Sequence, residues 1–283
     1  MGVAGVEIGG PEPVVIAGPC AVESYEQTLA IAEAARAAGC RLMRGGAYKP
    51  RTDPSSFQGL GPQGLEILAE VRRETGLGIV SEVLDPRLVE QVATVADMLQ
   101  VGSRSMQNFP LLAEVGRSSV PVLLKRGWSA TLNEWLCAAE YIARQGNREI
   151  VLCERGIRTS FSWSHSQTAL DLDVIEPLRQ ATPLPILVDP SHATEDWTQV
   201  PGLSRAAMDA GAHGLLVEML EPGADRSRVR CDAHRGVPSE LLAEIVKSVQ
   251  GSEPNPARRD THRDAVVREE LAVDVETNRG ATQ

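Results

Sequence analysis

Eight short apolar runs rich in Val, Ile and Leu recur along this chain, each followed by a longer stretch with helical patterning. The runs occupy residues 14–18, 41–45, 78–83, 98–102, 122–126, 150–154, 186–189 and 214–218. A strand that is continuously apolar, rather than alternating, is one buried on both faces, as in a parallel sheet covered by helices. Eight such units within residues 14–250 predict an α/β protein of the (β/α)8 TIM-barrel type. A doubly wound open sheet is the alternative arrangement of the same units.

The intervening segments carry helix boundaries of their own. Helices are predicted over 24–38, 62–75, 85–95, 108–115, 131–145, 173–181, 200–210 and 238–249. Ser24 is placed to cap the first and Gly39 to close it, while Asp85 followed by Pro86 opens the third. Thr131 with Glu134 three residues later reads as a capping box. Ahead of this unit, residues 1–13 form a Gly-rich extension without a basic region followed by an apolar core, so no signal peptide is expected. After it, residues 251–283 are rich in Arg, Asp, Glu, Asn, Pro and Thr and are expected to be a disordered tail.

Composition narrows the partners. A net charge of -10 disfavours nucleic acid or an anionic membrane. No apolar run approaches the roughly 20 residues a membrane-spanning helix needs. The five cysteines are odd in number and scattered, which points to a reducing cytoplasm rather than a disulfide framework.

In a (β/α)8 barrel the chemistry sits where strands end. Reading those positions gives Arg44, Lys49, Arg51, Arg104, Lys125, Arg126, Arg155 and Arg158 on one rim. So many cations at one mouth imply anionic ligands, and Arg forks with Lys point charges suit phosphate and carboxylate. The alternative is that several are solvated or paired with Glu82, Glu154 and Asp189. A second group, Cys20, His192, Glu218 and Asp232, follows the first, seventh and eighth runs, which become neighbours once a barrel closes. A thiolate, an imidazole and two carboxylates converging there would form a divalent-metal site, without selecting one metal.

The residues at these positions also carry a family likeness. Ile-Ala-Gly-Pro-Cys at 16–20, Arg-Gly-Gly-Ala-Tyr-Lys-Pro-Arg-Thr at 44–52, Ser-Phe-Gln-Gly-Leu at 56–60 and Met-Gln-Asn-Phe at 106–109 are followed by Leu-Leu-Lys-Arg-Gly at 123–127. Leu-Cys-Glu-Arg-Gly-Ile-Arg-Thr at 152–159 and Val-Asp-Pro-Ser-His-Ala at 188–193 complete the series. In this order they resemble the type I 3-deoxy-D-arabino-heptulosonate 7-phosphate (DAHP) synthases. The short beta branch, shared with the 3-deoxy-D-manno-octulosonate 8-phosphate synthases, is the most similar.

The resemblance implies a cytoplasmic transferase that condenses phosphoenolpyruvate with erythrose 4-phosphate and water, opening the shikimate pathway to aromatic amino acids. It implies one divalent metal ion (Mn, Co, Fe or Zn) held by Cys20, His192, Glu218 and Asp232. It further implies that Arg104, Lys125 and Arg155 hold phosphoenolpyruvate, with Arg44 and Lys49 beside them. Pro50, Arg51 and Thr52 would receive the aldose phosphate; the octulosonate synthases carry Lys-Ala-Asn-Arg-Ser there, so this segment argues for the four-carbon acceptor. Cys20, His192 and Lys49 would take part in catalysis, Lys49 as proton donor with a pKa lowered by Arg44 and the metal. A homo-oligomer, dimer or tetramer, is expected by the same resemblance. Inhibition by phenylalanine or tyrosine is not expected, because no added regulatory domain precedes Val14 and the tail at 251–283 is too short for a chorismate mutase.

The sequence departs from the family pattern at two loops. The family's Thr-Arg-Asn-Thr-Leu-Asp is replaced by Ser-Phe-Ser-Trp-Ser-His-Ser-Gln-Thr-Ala-Leu-Asp at 160–171, and Val-His-Pro after Glu218 becomes Met219-Leu220-Glu221. The loop from Glu221 to Cys231 is also longer, which leaves Asp225 as an alternative ligand to Asp232. Two other readings follow: the same reaction on another aldehyde in a specialised pathway, and a non-catalytic barrel that binds phosphorylated metabolites.

Overall fold

Alternate side chains along the apolar runs go to two separate apolar clusters, and that division closes the sheet. Ile16, Leu42, Val80, Met98, Leu123, Val151, Leu187 and Leu216 meet in one cluster, inside the barrel. Their chain neighbours, among them Val15, Met43, Ile79, Leu99, Leu124, Leu152, Val188 and Leu215, belong to the larger cluster shared with the helices. A period of two with both faces apolar is the pattern of a doubly covered parallel strand.

The computed structural model describes residues 1–158 and 168–250. The barrel strands are β1 (Val14–Gly18), β2 (Leu42–Arg44), β3 (Gly78–Glu82), β4 (Met98–Val101), β5 (Val122–Lys125), β6 (Ile150–Glu154), β7 (Ile186–Val188) and β8 (Gly214–Glu218). All pair in parallel; β8 joins β1, and β6 joins β7. The circle is a closed barrel, which excludes the open-sheet alternative. The helices are α1 (Tyr25–Ala37), α2 (Pro62–Thr75), α3 (Val89–Ala93), α4 (Phe109–Arg117), α5 (Leu132–Ala143), α6 (Ile175–Ala181), α7 (Val200–Asp209) and α8 (Ser239–Gln250).

Local signals fix several boundaries. Ser24 accepts a hydrogen bond from the Gln27 amide, and Thr131 with Glu134 forms the reciprocal capping box. The third and sixth helices differ from the expectation. Each opens with a 3-10 turn, Pro86–Leu88 and Leu172–Val174, before its α-helical part. At the first of these the Asp85 side chain accepts from the Arg87 amide and holds the tighter turn.

Residues ahead of the barrel are built into it. Gly2–Val3 and Val6–Glu7 pair as a hairpin, and Val3, Val6 and Ile8 join the interior cluster at the amino-terminal end of the strands. That end is thereby stoppered with apolar side chains, and the opposite end carries the polar groups. Among the described residues no helix is long and apolar enough to cross a membrane. The tail at 251–283 and the altered segment at 159–167 lie outside the described residues.

Candidate active site

One inward position beyond the apolar interior, the strands change chemistry. Arg44, Glu82, Gln100, Lys125, Arg155, Asp189 and Glu218 are all buried at the carboxyl ends of the strands. Here the barrel opens into a cavity of about 550 Å³, whose lining includes Arg44, Lys49, Arg51, Arg104, Lys125, Arg155 and Arg158. Seven of the eight cations expected at the rim therefore share one cavity. Arg126 does not. It is buried, paired with Glu154 at 3.0 Å and Asp171 at 2.8 Å, and donates to the Ala130 carbonyl. It braces the β5 and β6 loops, so the reading of Arg126 as part of the anion rim is corrected here.

The other pairings weighed from the sequence are partly present. Lys125 is ion-paired with Asp189, and Lys49 lies 3.8 Å from Glu82. Arg155 is different. It is buried, its Nη1 has no hydrogen-bond partner, and burial together with Arg235 and Arg104 disfavours its charge, opposed by Asp189. A buried guanidinium nitrogen without a partner costs about 1–3 kcal/mol, more for a charged group. An anion in the cavity would remove that cost.

At one side of the cavity the chain places a compact donor cluster. His192 Nε2 lies 3.2 Å from Glu218 Oε1, and Cys20 Sγ lies 3.1 Å from Asp232 Oδ2. His192, Glu218 and Asp232 can offer ligand atoms within 4.8 Å of one another, as can Cys20, Cys231 and Asp232. The two groups share Asp232. Asp225, the alternative, is exposed and caps the turn at Ser227 instead. Asp232 itself has φ 50, a left-handed conformation that Asp tolerates better than most residues. It is held there by the surrounding loop: Glu23 accepts from the Arg230 and Cys231 amides, and the Asp232 carbonyl accepts from the Arg235 amide at 2.9 Å.

The protonation states suit a cation at this point. Burial pushes the His192 imidazole pKa down, despite Asp189 and Glu218 nearby, so the ring is neutral at physiological pH. Asp189 is held well below the usual carboxylate range, because the hydrogen bond from His192 and the charges of Lys125 and Arg44 outweigh its burial. An ionised Asp189 can only accept, so Nδ1 carries the proton at 2.7 Å and Nε2 presents its lone pair toward Glu218. Two lone pairs facing each other invite a cation between them. Glu218 Oε2, buried and without a hydrogen-bond partner, offers another. The Cys20 thiol pKa is raised well above its ordinary value, by the Cys231 contact, burial and Glu218, so a metal would have to displace its proton.

Burial and Arg44 disfavour the Lys49 charge, whereas Glu82 at 3.8 Å favours it, and among the protein's own groups the Lys49 pKa is raised. Several residues were missed from the sequence. Cys231 Sγ lies 2.9 Å from Cys20 Sγ and accepts from Arg51, while Trp128, Glu195 and Arg235 line the cavity. Only Cys231 and Arg235 had a signal, their nearness to Asp232.

The sequence model of the DAHP synthetase I family matches residues 2–249. The chain belongs to that family. The phospho-2-dehydro-3-deoxyheptonate aldolase of Thermotoga maritima is 44% identical over 245 residues, spanning 87% of this chain and 71% of that protein. The crystal structure of the DAHP synthase from that organism superposes with a TM-score of 0.82 at 43% identity, covering 88% of this chain and 71% of that one. A truncated form of 3-deoxy-D-arabino-heptulosonate 7-phosphate synthase from Thermotoga maritima superposes with a TM-score of 0.79 at 39% identity, covering 88% of this chain and 89% of that one. A 2-dehydro-3-deoxyphosphooctonate aldolase from Syntrophotalea carbinolica is 34% identical, over 87% of this chain and 93% of that protein.

Proposed function

We propose that this protein joins phosphoenolpyruvate to erythrose 4-phosphate and water, yielding DAHP and inorganic phosphate. The observation that carries this reading is a cavity lined by seven of the predicted cations, with the partnerless Nη1 of Arg155 at its wall. Two anionic substrates would neutralise that charge. Arg104, Lys125 and Arg155 hold the phosphate and carboxylate of phosphoenolpyruvate, with Arg44 and Lys49 beside them. Arg51 and Thr52, preceded by Pro50, take the aldose phosphate.

Cys20, His192, Glu218 and Asp232 would hold one divalent metal ion, whose chemistry there is Lewis acidity toward the aldehyde oxygen. Arg44 is tied to Glu218 at 2.5 Å and so fixes that carboxylate relative to the anion site. Phosphoenolpyruvate carbon 3 attacks the aldehyde carbon, and water adds to carbon 2. Lys49, kept as an ammonium by its raised pKa, donates a proton to the oxygen that becomes the new hydroxyl. The phosphohemiketal then loses inorganic phosphate by C–O cleavage, leaving the ketone. Holding both anions at one mouth supplies proximity, and the fixed cations stabilise charge as it moves.

The acceptor follows from carbon counting: a seven-carbon product needs a four-carbon aldose, an eight-carbon product a five-carbon one. Lys49-Pro50-Arg51-Thr52 favours the former. The odd number and scatter of the five cysteines support a cytoplasmic setting for the reaction. The test is phosphate release from phosphoenolpyruvate by the metal-reconstituted protein with four- and five-carbon aldose phosphates and unphosphorylated aldehydes. Turnover with erythrose 4-phosphate is expected. Turnover with another aldehyde alone would move the acceptor, and none with any would sink the enzyme reading.

A further inference from the structure

Three guanidinium groups in the cavity gather around one indole. Arg104 lies 4.6 Å and Arg158 4.5 Å from the Trp128 ring centroid, and Arg155 lies 5.8 Å from it. Like charges this close repel, and among the described residues none of the three forms an ion pair with a carboxylate. Arg104 reaches a neutral group instead, the Thr52 hydroxyl at 3.5 Å. The electron-rich ring face is the attraction common to all three. Trp128 is itself anchored: its carbonyl accepts from the Arg158 amide at 2.7 Å, joining the loop after β5 to the segment after β6.

We propose that Trp128 is a positioning residue that gathers Arg104, Arg155 and Arg158 into a preformed clamp for phosphoenolpyruvate. The assignment of the anion rests on the function proposed above; the clamp itself rests on the ring geometry. Without the ring, the three side chains would spread into solvent and toward separate partners. The ligand would then bear the cost of drawing them together. Arg155, whose Nη1 is buried without a partner, supplies the innermost wall of the clamp. Arg104 and Arg158 stack closest to the ring, and Arg158 is exposed at the mouth.

Calorimetric binding of phosphoenolpyruvate to the full chain, as wild type, Trp128→Phe and Trp128→Met, tests this. Both substitutions leave the backbone hydrogen bond to Arg158 in place, and Met replaces the ring with an aliphatic chain. Trp128→Met should raise Kd and KM for phosphoenolpyruvate about tenfold with most of the change absent from kcat, and Trp128→Phe should recover most of the affinity. A Met variant that binds within twofold of wild type, or a Phe variant no better than Met, overturns the proposal while leaving the substrate reading intact. Failure of the wild type to bind phosphoenolpyruvate overturns the substrate reading, and the clamp's ligand with it. Wild-type protein gives a second readout should the Met variant fail to fold. Its tryptophan emission should change with phosphoenolpyruvate at the calorimetric Kd, a response missing in Trp128→Phe. Flat emission while calorimetry records binding overturns the proposal.

Discussion

Asp189 Oδ2 lies 2.7 Å from His192 Nδ1, and this contact aims the other ring nitrogen at Glu218. The carboxylate dictates the tautomer, because it can only accept. An amide in its place could donate to Nδ1 and turn the ring into the wrong tautomer. Asp189→Asn is therefore expected to weaken divalent-metal binding about 10–100-fold while keeping the barrel. Competition with a chromophoric chelator measures it, and an unchanged affinity would deny Asp189 its orienting role.

The two sulfurs beside Asp232 can be told apart. Cys20 lies at the end of β1, within the barrel's own frame, whereas Cys231 belongs to the loop after β8. Cys20→Ala is expected to lose stoichiometric metal and activity but keep its far-ultraviolet dichroism. Cys231→Ala is expected to keep its metal. Metal analysis of the two purified variants decides which thiol is the ligand; the reverse pattern would reassign it.

Arg155 should show function bought with stability. Replacing it by Met removes a buried guanidinium with a partnerless nitrogen. Each kcal/mol gained moves Tm by roughly 2–4 °C in a domain near this size. Arg155→Met is expected to melt a few degrees higher without ligand, and to bind phosphoenolpyruvate at least about tenfold more weakly. A lower Tm in the unliganded variant would show that Arg155 is satisfied before substrate arrives.

Glu154 gives a pH dependence with a definite sign. Burial pushes its carboxyl up from 4.5, although Arg126 and two backbone amides pull the other way. A raised folded-state pKa means the native state holds this proton more tightly than the unfolded chain does. Its contribution is then fully present below about 4.5 and is lost as pH rises through the folded value. Against the non-titrating Glu154→Gln, wild-type Tm should therefore improve on acidification from pH about 7 to about 5. A difference moving against the wild type would mean that the Arg126 pair dominates.

The stopper at the opposite end is structural. Ile8 is fully buried in the barrel interior. Ile8→Ala is expected to cost about 2–5 kcal/mol in thermal or denaturant unfolding. Its kcat/KM at 25 °C should be unaffected, because the active mouth is at the other end of the strands. A large loss of activity in folded protein would mean that the two ends are coupled.

Much of this was written locally in the chain. Uninterrupted apolar runs specified strands buried on both faces, and Ser24, Asp85 and Thr131 with Glu134 marked helix starts through contacts within three residues. The strand ends exposed the cations and the donors Cys20, His192, Glu218 and Asp232, because a parallel barrel puts the ends of all its strands at one mouth. Tertiary structure alone decided which charges cancel. Arg126 meets Glu154 and Asp171, so it leaves the anion rim, and Lys49 comes to lie 3.8 Å from Glu82. It also brought Cys231 onto Cys20 across 211 positions, placed Trp128 among three guanidinium groups and drew Ile8 into the barrel floor. Periodicity and capping act between near neighbours and are legible in one dimension; electrostatic pairing and ring contacts depend on distances that exist only once the barrel closes.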